Sequence, residues 1–83
     1  MHSDIQKAIL RKLYMLDYWG GRHTSIDNLQ KGFEGHLKGL VKKEAKELLK
    51  LGLILCKPKP DSLHVFLNPR RVEEIRRIVA TIK

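Results

Sequence analysis

Leu37-Lys38-Gly39-Leu40-Val41-Lys42-Lys43-Glu44-Ala45-Lys46-Glu47-Leu48-Leu49-Lys50-Leu51-Gly52-Leu53-Ile54 is the stretch on which the fold turns. Leu37, Leu40, Val41, Ala45, Leu48 and Leu49 recur at spacings of three and four, the signature of one apolar helix face over residues ~37–51. Lys38, Lys42, Lys43, Lys46 and Lys50 cover the remaining surface, with Glu44 and Glu47 among them. Gly52 supplies the stop, because glycine readily takes the left-handed backbone that ends a helix. Leu53-Ile54-Leu55-Cys56-Lys57 then has strand length and strand composition.

Upstream, Ser3 and Asp4 form an N-cap and an acidic first turn for a helix over residues ~4–18. Its apolar residues Ile5, Ala8, Ile9, Leu13, Tyr14 and Leu16 follow the helical period, and Gly20-Gly21 is the expected end. Arg22 to Thr24 is a short extended piece. Ser25 caps a second, short helix over ~25–31, with Ile26 and Leu29 inward and Gly32 as its stop. Phe33 is expected as a buried plug in the tight connection Phe33-Glu34-Gly35-His36, whose length suits a helix-turn-helix. Tyr18 and Trp19 are expected to close the core.

Downstream, Pro58-Lys59-Pro60-Asp61-Ser62 reads as a turn, and Leu63-His64-Val65-Phe66-Leu67 as the strand that returns from it. Asn68-Pro69 is a cap followed by proline at the first helical position, the start of a helix over ~69–82. Val72, Ile75, Val79 and Ile82 form a seam along this helix. Such a seam either packs on the domain's own first helix or pairs two copies in a homodimer.

Eighty-three residues make one domain, spanning 1–83. With one cysteine, Cys56, no internal disulfide forms, which fits a reducing cytoplasm. Cys56 in an apolar strand is expected to be inert core. No apolar run approaches the ~20 residues needed to span a bilayer. Seventeen Lys and Arg against nine Asp and Glu leave a net charge of +8, which favours a polyanionic partner.

The order of helix, short strand, helix, turn, helix and hairpin, with a further C-terminal helix, resembles a winged helix-turn-helix. Ser25-Ile26-Asp27-Asn28-Leu29 looks like the first helix of its helix-turn-helix. Glu47-Leu48-Leu49-Lys50-Leu51-Gly52-Leu53-Ile54 looks like the recognition helix running into the wing. The chain is similar also to small archaeal winged-helix proteins of poorly defined role. The resemblance implies an α+β, mostly α fold with a three-helix core, a β-hairpin wing and an additional C-terminal helix.

It further implies that the third helix enters the major groove. Lys38, Lys42 and Lys46 then form a row that meets phosphates, flanked by Lys43 and Lys50. His36 stands before the row, within reach of a phosphate or simply part of the turn. Lys57 and Lys59 sit around the prolines of the wing. They either touch flanking backbone or guard a sheet edge against stray pairing. No Arg, Asn or Gln lies between Leu37 and Leu51, so the bidentate base readers are missing and binding is expected to be backbone-dominated. The bland alternative is a solvated helix in which Glu44 and Glu47 neutralise the lysines. Gly39 in the first turn serves either packing, the simpler reading, or close approach of a partner's backbone.

A DNA-binding, transcription-related role is the leading expectation. RNA or ribosome association, or docking of the basic face on an acidic protein, are the alternatives. No catalytic residues, cofactor or metal are expected. His2, His23, His36 and His64 lack ligand spacing with one another or with Cys56, and no nucleophile–base pair or phosphate loop is visible.

Overall fold

Ser3 opens the first helix of the computed structural model, which describes residues 3–60 and 63–81. Its hydroxyl oxygen accepts from the Gln6 backbone N–H at 3.1 Å and caps α1 (Asp4–Met15) as expected. The helix stops before Gly20-Gly21. Asp17 takes the left-handed conformation (φ 62°), the Asp17 N–H donates to Tyr14 O, and the Tyr18 N–H donates to Leu13 O. Those two bonds satisfy the last carbonyls in the pattern that usually employs glycine. Tyr18 and Trp19 therefore leave the helix, pack partly buried against the core, and Tyr18 O accepts from the Leu67 N–H at 2.8 Å.

The extended piece is β1 (Thr24–Ser25), which starts two residues and ends one residue later than the sequence suggests. Ser25 caps α2 (Ile26–Gln30) by accepting from the Asn28 N–H at 3.0 Å. A 3-10 turn over Gly35–Leu37 then leads into α3 (Lys38–Leu51). Gly52 closes α3 in the left-handed conformation (φ 76°), and the Leu53 N–H returns to Leu48 O. Leu53 is thus used by the cap, and β2 begins one residue later, over Ile54–Pro58. β3 is Leu63–Leu67; residues 61 and 62 of the expected turn lie outside the described residues. The sheet is antiparallel in the order β1-β3-β2, with Cys56 opposite Val65 and Lys57 opposite His64.

Asn68 ties the hairpin to the last helix. Its amide donates to Gly52 O at 2.8 Å and its side-chain oxygen accepts from the Arg70 N–H at 3.0 Å. Pro69–Arg71 forms a 3-10 turn and α4 runs Val72–Ala80. The architecture is α+β and mostly helical: among the described residues, four α-helices and a small three-stranded antiparallel sheet.

The core joins Ile9, Leu10 and Leu13 of α1, Leu29 of α2, Val41, Ala45 and Leu48 of α3, Val65 and Leu67 of β3, and Ile75 of α4. Fully burying each large aliphatic side chain contributes about 1.5–3 kcal/mol, so this shared centre fixes how the elements pack. Several expectations are corrected by it. Leu10 lies outside the expected seam yet is fully buried, while Leu16 of that seam is 43% exposed. Leu40 lies on the expected core face but is 46% exposed, while its neighbour Val41 in the same turn of α3 is fully buried. Phe33 is a half-buried lid on the core and no buried plug. Cys56 is exposed, since β2 runs beyond the helical layer towards its tip. Ile75 is wholly buried in the chain's own core, Val79 packs against that core, and α4 lies on α1. Ile75 of the seam is therefore taken up by the chain's own core; Val72 and Val79 are half-buried, and Ile82 lies outside the described residues.

Candidate nucleic-acid interface

The apolar face of α3 is anchored by Val41, Ala45 and Leu48, so its opposite face must point outward. Lys38, Lys42, Lys43, Lys46 and Lys50 are all exposed there. Lys42, Lys43, Lys46 and Lys50 line a shallow open groove with Gly39 and Glu47. Lys38, one turn before Lys42, extends the row towards the N-terminal end.

The two acids on this helix decide whether the row is neutralised. Glu44 is drawn away to α1, where it accepts from the Ser3 hydroxyl at 2.7 Å and from the Gln6 amide at 3.4 Å. Glu47 pairs with Lys50 at 3.6 Å. No carboxylate among the described residues lies within 4.0 Å of the Lys38, Lys42, Lys43 or Lys46 ammonium. Four like charges are thus left on one helix face, which repel one another and favour a polyanion that relieves the repulsion.

Gly39 is a second correction. A Cβ built there meets nothing within 4 Å, so packing does not require glycine at this position. It lies bare on the groove surface beside Lys42 and Lys43.

His36 is exposed in the 3-10 turn with its Nδ1 3.6 Å from the Glu34 carboxylate, and it does not line the groove. Lys57 and Lys59 are exposed on the hairpin, also outside that groove. They approach a feature that sequence reading missed. His23, just before β1, meets His64 on β3 with Nδ1 to Nδ1 at 2.9 Å and the rings edge to face. Partial burial, then the neighbouring His64, Lys57 and Lys59, push the His23 pKa below its ordinary value. The two histidines are separated by forty-one positions, so only the β1–β3 pairing brings them together.

Among the described residues no three His, Cys, Asp or Glu side chains converge as metal ligands, and no helix is long and apolar enough to cross a membrane. The arrangement offers charge and shape for an anion. No protein-family model, curated protein or solved structure matches this chain.

Proposed function

We propose that the chain is a winged-helix domain that binds nucleic acid, with duplex DNA as its preferred ligand, and that it is a binding module and not an enzyme. In this reading α2 and α3 are the helix-turn-helix, β2 and β3 form the wing, and α4 is an added brace. The observation that carries it is the unpaired lysine row: Lys38, Lys42, Lys43 and Lys46 exposed on α3 while Glu44 is held by α1. Lysine is a mobile point charge suited to phosphate oxygens, so the contacts are to backbone and the sequence preference is weak. Lys50, partly neutralised by Glu47, contributes less. Lys57 and Lys59 contact flanking phosphates from the wing, and His36 stands at the end of the row. The proposal includes a transcription-related role in the cytoplasm.

Alanine at both Lys42 and Lys46 tests the proposal. Both side chains are exposed, so the fold is retained. Loss of two phosphate contacts should weaken binding at low salt and reduce the salt slope by about 1.8. Unchanged affinity at low salt removes these lysines from the interface and the DNA reading with them.

A further inference from the structure

A second surface lies away from the α3 groove. Met15 is 67% exposed and Leu16 43%, large apolar side chains that a solvated helix end does not need. With Ala8 and Phe33 they form an open apolar groove between the outer stripe of α1 and the chain leaving α2, flanked by Arg11 and Lys12. The Lys12 side chain crosses this groove. It lies over Gly32, where the end of its chain occupies the space a Cβ would need, and its ammonium sits 6.0 Å from the Phe33 ring centroid. Beneath that bar is a more enclosed pocket of about 250 Å³, with Leu13, Leu29 and Tyr18 among its lining and Lys31 beside them. Gly32 has no positive φ, and a Cβ there would displace only the mobile end of the Lys12 side chain.

We infer that this groove docks an acidic amphipathic helix of a partner protein, with one large apolar side chain seated in the pocket under Lys12. Size argues for a side chain, because small-molecule sites usually run to ~300–1,000 Å³ and this pocket is smaller. The wall formed by residues 8–16 is about 12 Å long at 1.5 Å per residue, room for about two turns of a partner helix. Charge argues for acids: Arg11, Lys12 and Lys31 have no carboxylate within 4.0 Å among the described residues. A duplex would leave Met15, Leu16 and Phe33 facing phosphate. A membrane would take the same apolar side chains but would not need the pocket under Lys12, and the vesicle control below separates it. The inference does not depend on DNA binding by α3.

The test uses a synthetic sixteen-residue helical peptide with Leu and one Trp on one face and Glu elsewhere. Its controls are a scrambled peptide of identical composition and vesicles of phosphatidylserine and phosphatidylcholine. Amide shifts in a ¹⁵N-labelled sample should move at Lys12, Leu16, Leu29, Gly32 and Phe33, with a Kd of micromolar to about 100 μM for so small an interface. Met15→Glu and Lys31→Glu, both at exposed positions, should each weaken binding about tenfold or more without changing the thermal midpoint. Alanine at Lys42 and Lys46 should leave peptide affinity intact. Equal binding of the scrambled peptide, shifts centred on Lys42 and Lys46, vesicle binding through these same residues, or no peptide shift at about 1 mM would each overturn the inference.

Discussion

The His23 and His64 imidazoles face one another at 2.9 Å between their Nδ1 atoms, joining the approach to β1 to the middle strand of the sheet. Such a contact holds only if one nitrogen carries a proton and the other does not. The depressed His23 pKa keeps that ring neutral in the fold, whereas in the unfolded chain it titrates near 6.5.

Stability should therefore depend on pH in a fixed direction. Above about pH 6.5 His23 is neutral in both states and the fold carries no penalty. As pH falls below 6.5 the unfolded chain takes up a proton that the folded chain resists, and stability drops until pH passes the folded pKa. Urea unfolding between pH 8 and 5 should show this loss, and His64→Gln, which removes the second of its causes but leaves the partial burial, should reduce it in part. An unchanged slope in His64→Gln would contradict the role given to the pair.

Asp17 ends α1 with φ 62°, a conformation that glycine enters with no Cβ penalty. Asp17→Gly should leave stability level or raise it by up to about 1 kcal/mol, the relief of strain being offset by a more flexible unfolded chain. Asp17→Val, with branching at Cβ, should lower stability by about 1–2 kcal/mol. Thermal midpoints of the two variants check the order, which reverses if this stop is not left-handed.

Gly39 separates stability from function. Because a Cβ there meets open space, Gly39→Ala should stabilise α3 by about 0.5–1 kcal/mol, or several degrees in a domain of this size. The same methyl stands in the lysine groove and should weaken DNA binding. A higher melting temperature with unchanged DNA affinity would show that no backbone approaches Gly39.

Much of the fold was legible because its signals are local. Ser3, Ser25 and Asn68 announce their helices, Gly52 ends α3, and the period of Val41, Ala45 and Leu48 fixes which face turns inward. What was not legible depends on neighbours far along the chain. Leu10 is buried because α1 is covered by both α3 and α4, which no seam of a single helix reveals. The end of α1 was misplaced because Asp17 does the work for which Gly20 was the obvious choice. The lysine row was visible, but its lack of partners was not: that required knowing that Glu44 turns to Ser3. The docking groove joins residues 8–16 to residues 32–33, and neither piece signals it alone.

Cys56 reports chemically on where the helical cover of the sheet ends. An apolar pentapeptide places it in the core, yet it is exposed opposite buried Val65, at the part of β2 that the helices do not cover. It should react with a thiol reagent such as DTNB in the folded protein at a rate close to that of the urea-unfolded chain. Protection by orders of magnitude would place it back in the core.

Fluorescence anisotropy of a short labelled duplex and an RNA hairpin across a salt series reads the lysine row itself. The duplex should bind at micromolar Kd or tighter. The log–log salt slope should lie between about −3.5 and −5.5, the release expected from four to six phosphates, with the hairpin bound more weakly. Failure of both nucleic acids to bind at low salt would contradict the proposed interface, leaving the α3 lysines as a solvated face; tighter hairpin binding would move the ligand from DNA to RNA.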